Sequence, residues 1–210
     1  MKKFWSYAGV AASVVLVAFG IAAIVAAVSG RSEVRTDIKR EAIVGTPDMT
    51  PKAIAAEAKQ AGLTNVSLPT CSVAGQAIDT GSKAKCFASY MRIHTLEATG
   101  GKTYAEMPRY ATADGKGTND VKAALTKNGQ PVDNPARNIW INETALATAL
   151  NTSYFAEQVS MFSLAMGIAL LLSGVGFLVL TVRLLVPTTR PDREAAREGA
   201  AAPAVPAASH

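Results

Sequence analysis

FWSYAGVAASVVLVAFGIAAIVAAV, residues 4–28, runs without a single Lys, Arg, Asp, Glu or His. A second stretch of the same kind, VSMFSLAMGIALLLSGVGFLVLTV, fills residues 159–182 and reaches Val186 if a helix carries Arg183 with it. A bilayer core of ~30 Å is crossed by ~20 apolar residues at helical rise, and each stretch is long enough. Lipid offers no partner to backbone N–H and C=O groups, so a segment crossing it in isolation is helical. The expected fold is mostly α: transmembrane helix 1 over residues 4–28, a mainly helical extracytoplasmic domain over 29–158, and transmembrane helix 2 over 159–186. A short cytoplasmic N-terminus (1–3) and a Pro- and Ala-rich tail (187–210), expected to be disordered, flank them.

Charge sets the expected orientation. The formal net charge is +5, but residues 30–158 hold fifteen Lys and Arg against thirteen Asp and Glu, a near balance that gives no footprint for nucleic acid. No Lys or Arg lies in residues 138–182, whereas Arg183, Arg190, Arg193 and Arg197 follow the second apolar run. Positive flanks face the cytoplasm, so both termini are expected there, in agreement with Lys2 and Lys3. Arg31, Arg35, Lys39 and Arg40 count little against this, because long domains translocate largely regardless of charge. Ala27-Val28-Ser29 resembles a signal-peptidase site, but the apolar run exceeds the ~7–15 residues of a signal core, and an uncleaved anchor is expected.

Cys71 and Cys86 both fall in the central domain. In an exported segment an even count reads as a disulfide. The competing reading is a pair of free thiols in a cytosolic domain; a zinc site would need further ligands, and His94 is the only histidine nearby. No metal ligand set, cofactor site or catalytic residue is expected.

Between the apolar runs, Thr50-Pro51 reads as an N-cap followed by proline at the first helical position, with Gly62 as the stop. Phe87, Tyr90, Met91, His94 and Ala98 recur at helical spacing over residues 83–99, and Gly100-Gly101 ends that helix. Asp114-Gly115 and Asn128-Gly129 are turn dipeptides, either able to close a small hairpin. Asn134-Pro135 opens another helix, in which Ile139, Leu146, Leu150, Tyr154 and Phe155 keep helical spacing, and no Pro or Gly interrupts it before Gly167. Ala98-Thr99-Gly100-Gly101-Lys102-Thr103 ends like a phosphate-binding loop but has Leu96 where that pattern needs its first glycine, so it reads as a helix stop. His94 and Glu97 stand one turn apart and could tune a general base, but no nucleophile motif accompanies them, and His94 reads as a packed residue.

Small residues mark one face of each apolar run: Gly9, Ser13 and Gly20 in the first, Ser163, Gly167 and Gly174 in the second. Such faces let helix backbones approach closely in lipid, where no hydrophobic drive operates between helices. The plain alternative is that Gly and Ala are frequent throughout. No ionisable group lies inside either run, which argues against a proton path, a channel or a carrier.

The segments Val44-Gly-Thr-Pro-Asp-Met-Thr-Pro51, Cys86-Phe-Ala-Ser-Tyr-Met-Arg-Ile-His94, Glu97-Ala-Thr-Gly-Gly101, Asn134-Pro-Ala-Arg-Asn-Ile-Trp140, Ala147-Thr-Ala-Leu-Asn-Thr-Ser-Tyr154 and Ala156-Glu-Gln158 resemble a family of actinobacterial two-span membrane proteins of unknown function. The resemblance covers most of the chain from the first apolar run to the second and implies a bacterial plasma-membrane location. Some members carry the label aromatic ring-opening dioxygenase; a non-haem iron site of that kind draws on two histidines and a carboxylate, and the domain has one histidine. The function expected is non-enzymatic: a structural or accessory component of a cell-envelope complex, in contact with membrane lipid and with a membrane-protein partner or further copies of itself. The alternative is an extracytoplasmic ligand-binding or sensory domain acting through a partner.

Overall fold

A computed structural model describes the backbone of residues 2–185 and the side chains of residues 7–183. The expectations for the tail (187–210), for Arg190, Arg193 and Arg197, and for the side chains of Lys2 and Lys3 lie outside the described residues. Helix α1 is Lys2–Arg40, α2 is Pro51–Gln60, α3 is Gly81–Ala98 and α4 is Pro135–Leu185. A single 3-10 turn, Val121–Ala123, and a two-stranded hairpin, β1 Thr126–Lys127 with β2 Gln130–Pro131, lie between α3 and α4. The chain forms two compact units, residues 22–167 and, among the described residues, 2–21 with 168–185.

Helices α1 and α4 are long and apolar enough to cross a membrane. Both outrun the apolar stretches that define them. α1 continues through the charged residues 31–40, which contain no Pro or Gly, and α4 begins at Pro135 and stays unbroken to Leu185. In the smaller unit Tyr7, Val14, Phe19, Leu172, Phe177 and Leu180 are each at least half exposed. Apolar exposure this dense is rare on a protein surface bathed in water.

The larger unit is built around one core. Ile38 from α1, Ile54 and Ala58 from α2, Ala84, Phe87, Tyr90 and Ile93 from α3, and Leu150 from α4 join Met49, Val73 and Ile78 from the connecting segments. The helix starts are those their capping chemistry dictates. Thr50 accepts a hydrogen bond from the Ala53 N–H and Pro51 fills the first helical position. Thr80 caps α3 in the same way through Lys83 N. At the other end of α3, Gly100 and Gly101 take positive φ and the Gly101 N–H reaches back to Leu96 O, a glycine C-cap that accounts for the whole Gly-Gly-Lys-Thr resemblance.

The inward face of α3 keeps Phe87, Tyr90 and Met91 of the expected stripe and adds Cys86, Ile93 and Leu96. Cys86, Phe87, Tyr90, Ile93 and Leu96 are buried, while Met91 and His94 are half-buried and Ala98 is exposed. On α4, Ile139 and Phe155 turn outward; the buried stripe is Trp140, Glu143, Leu150 and Glu157. The Asn128-Gly129 dipeptide takes left-handed φ at both positions, as a two-residue hairpin turn requires, and closes β1 on β2. Asp114-Gly115 lies inside the loop closed by the Tyr110–Thr118 bridge.

Cys71 and Cys86 form a disulfide, with Cα atoms 6.1 Å apart and 15 residues between the partners in sequence. It ties the irregular segment after α2 to the second turn of α3, and the Tyr90 hydroxyl donates to Cys71 O at 2.6 Å beside it. A loop of this length is worth ~3 kcal/mol in the chain-entropy account. Replacing both cysteines by alanine should therefore lower the stability of the detergent-solubilised chain by about 3 kcal/mol in denaturant unfolding. An unchanged midpoint would contradict that role.

Candidate functional site

Three constellations carry the chemistry of this chain. The first is the contact between small residues in the smaller unit. A Cβ placed on Gly174 would stand 2.8 Å from Val17 Cγ2 and 3.0 Å from Val17 N, and one on Gly9 would stand 2.6 Å from Thr181 Oγ1. Here the first residues of α1 and the last of α4 touch through backbone that only glycine leaves uncovered. Ser13 is buried and returns its hydroxyl proton to Gly9 O. Gly20 is buried as well. In the larger unit Gly167 is buried and Ser163 half-buried, and Gly30 lies 3.4 Å, by its would-be Cβ, from Ser160 Oγ.

The second constellation surrounds Glu157, a buried acid at the lower edge of the α4 apolar run. Its Oε1 accepts from Arg31 Nε at 3.0 Å and from Arg35 Nε and Nη2 at 2.9 and 2.7 Å. Its Oε2 accepts from the backbone N–H of Gly81 at 2.7 Å. Arg31 and Arg35 are one turn apart on α1, so both guanidinium groups reach one carboxylate. Gly81 opens α3, where unpaired N–H groups and the helix dipole favour an anion. A side chain there would collide: a Cβ on Gly81 would lie 2.8 Å from Tyr154 Cα and 2.9 Å from Glu157 Oε2. Desolvation pushes the Glu157 carboxyl up, but hydrogen bonds from Arg31, Arg35 and Gly81 together hold it below its ordinary 4.5. Glu143, two turns nearer the start of the same buried stripe than Leu150, meets Arg92 at 3.7 Å, and the Arg92 guanidinium lies 4.0 Å from the centre of the Trp140 ring. Trp140 donates its indole N–H to Lys102 O at 2.7 Å.

The third constellation centres on His94 of α3. Its Nε2 lies 3.3 Å from Asp48 Oδ2 and 3.3 Å from Glu57 Oε2. Asp48 belongs to the turn before α2, Glu57 to α2 itself. Thr46's hydroxyl hydrogen bond, aided by the residue's own backbone N–H and by His94, holds Asp48 below its usual carboxylate range against desolvation. Nε2 is buried and makes no hydrogen bond, although two carboxylate oxygens lie 3.3 Å away. Glu97, the partner that sequence spacing offers His94, is exposed and takes no part. The three residues come together only in the fold, since 48, 57 and 94 share no motif spacing. With both cysteines in a disulfide, no thiol joins them.

The chain matches no protein-family model, no curated protein sequence and no solved structure.

Two outcomes follow from this geometry. Because Glu157 binds its proton less tightly folded than unfolded, its contribution to stability is complete above about pH 4.5 and is lost as pH falls through the lower folded value. Thermal midpoints between pH 6 and pH 3 should fall more steeply for the wild type than for Glu157→Gln, which should itself cost about 2 kcal/mol at pH 7, less than a fully buried pair because both arginines are partly in water. Parallel pH profiles would contradict the assignment. Gly174→Ile should force α1 and α4 apart in the smaller unit and lower the unfolding midpoint in mild detergent, whereas Leu172→Ile, on an exposed position, should leave it within experimental error.

Proposed function

We propose that this chain is a non-enzymatic integral membrane protein of the bacterial plasma membrane, with both termini cytoplasmic and the disulfide-bearing domain outside, serving as a structural or accessory component of a cell-envelope complex. The observation that carries the reading is the pairing of two membrane-length apolar helices with a disulfide in the segment between them. Disulfides persist in oxidising compartments and are rare in the cytosol, so the bridge supports export of that segment. The arginine-rich stretch after the second apolar run supports the same orientation.

The small-residue contacts bear on what the partner would touch. Gly9 and Gly174 are occupied by contacts within the chain. The partner, whether another membrane protein or a second copy, would then meet the apolar outer faces or the exported domain. The second reading, an extracytoplasmic ligand-binding or sensory domain that works through a partner, is favoured by the His94 constellation. The likeness of several segments to the actinobacterial two-span proteins agrees with either.

Crosslinking in native membranes followed by mass spectrometry tests the choice. A membrane protein recovered in fixed stoichiometry supports the accessory role, and its absence across linkers of several lengths contradicts it. Reporter fusions test the topology: an export-dependent reporter should be active at Gly115 and silent after Arg197. Activity after Arg197 would overturn the two-span arrangement.

A further inference from the structure

We propose that Asp48, Glu57 and His94 form a binding site for one divalent transition-metal ion of the zinc type, with water completing the coordination. One imidazole nitrogen and two carboxylate oxygens, one from each side chain, lie within 4.8 Å of one another. Around a tetrahedral zinc, ligands at ~2.0–2.1 Å stand about 3.3–3.4 Å apart. Both histidine-to-carboxylate distances are 3.3 Å.

Hydrogen bonding does not account for this cluster. Were Nε2 bare, its lone pair would face two anionic oxygens. Were it protonated, it would pair with both carboxylates as an ion yet donate a hydrogen bond to neither, which is the unpaired state this buried nitrogen has in the structure. A metal cation bound by Nε2 resolves both problems, because both carboxylate oxygens lie 3.3 Å from that nitrogen, close enough to share the ion with it. Among the described residues neither carboxylate has a lysine or arginine within 4.0 Å, so no other fixed cation neutralises the pair. This contrasts with Glu157, whose charge two arginines answer.

The donor set narrows the ion. Imidazole suits zinc, iron, nickel and copper, whereas calcium and magnesium take all-oxygen shells. The three ligands come from the turn before α2, from α2 and from α3, so the ion would fasten segments otherwise joined by apolar packing and by the disulfide. A three-ligand site with water in the remaining position also keeps one place open to an incoming donor group. The three side chains are themselves partly exposed, His94 at 26%, Asp48 at 39% and Glu57 at 29%. This inference rests on the triad alone and not on the orientation or role proposed above.

The test uses the untagged full-length chain in detergent, stripped with a chelator, dialysed and titrated with zinc chloride by calorimetry at pH 7.5. The expected result is one zinc per chain, with affinity at least tenfold weaker in His94→Gln and in Glu57→Gln. His210→Ala, a change outside the site, should bind as the wild type does. Circular dichroism and an intact disulfide establish that each variant is folded. Zinc should also raise the thermal midpoint of the wild type and leave that of His94→Gln unmoved. Failure of the wild type to bind would overturn the proposal, as would equal binding by both ligand variants. A wild type that ignores zinc while its midpoint depends on the protonation of His94 would show the cluster to be an ion-pair triad only, and would likewise overturn it.

Discussion

A single buried carboxylate, Glu157, is the point on which the larger unit depends. It accepts four hydrogen bonds, from two arginines of α1 and from the first amide of α3, while itself belonging to α4. No apolar contact could join three elements with that directionality. An acid at this depth is tolerated only because both its oxygens are answered. The requirement propagates outward: α1 has to stay helical past the end of its apolar run to deliver Arg31 and Arg35, and position 81 has to be glycine for the amide to approach. The charged stretch after the first apolar run, which composition alone presents as a solvated extension of the helix, is thereby part of the domain's architecture.

In the smaller unit the governing constraint is different in kind. Were these helices to lie in lipid, burial of hydrocarbon would bring nothing, and contact would depend on how closely backbones approach. Gly9 and Gly174 provide that approach, at Thr181 and Val17. Tyr7, Val14, Phe19, Leu172, Phe177 and Leu180 stay exposed, so much of the outer surface of these segments is apolar. The larger unit buries a core and pairs its buried charge, and the smaller exposes much apolar surface and has no ionisable side chain among its described residues other than Tyr7 and Arg183.

Much of this was legible in the sequence because it is governed by local rules. Length and the absence of charge gave the two long helices, Thr50-Pro51 and Asn134-Pro135 gave helix starts, Gly100-Gly101 gave a stop, and the two cysteines gave the bridge. What failed was the assignment of helix faces. On α4 a count of apolar residues puts Ile139, Leu146, Leu150, Tyr154 and Phe155 on one stripe; Leu150 is buried, but Ile139 and Phe155 are exposed and the buried stripe includes Glu143 and Glu157, acids made compatible with burial by Arg92, Arg31 and Arg35. Charge pairing between residues more than fifty positions apart leaves no periodicity to read. The His94 cluster was hidden for the same reason: Glu97 is its neighbour in sequence, but Asp48 and Glu57 are its neighbours in space.

The elements of the larger unit are thus fixed by specific polar contacts in addition to packing. The central physical claim is that Arg35 and Glu157 act as one unit. A double-mutant cycle measures this most directly, using Arg35→Met, Glu157→Gln and the pair, with unfolding free energies taken in the same detergent at pH 7. The account predicts a coupling energy of at least about 1.5 kcal/mol, in the range found for close, partly buried charge pairs. Additive effects, with coupling near zero, would contradict it.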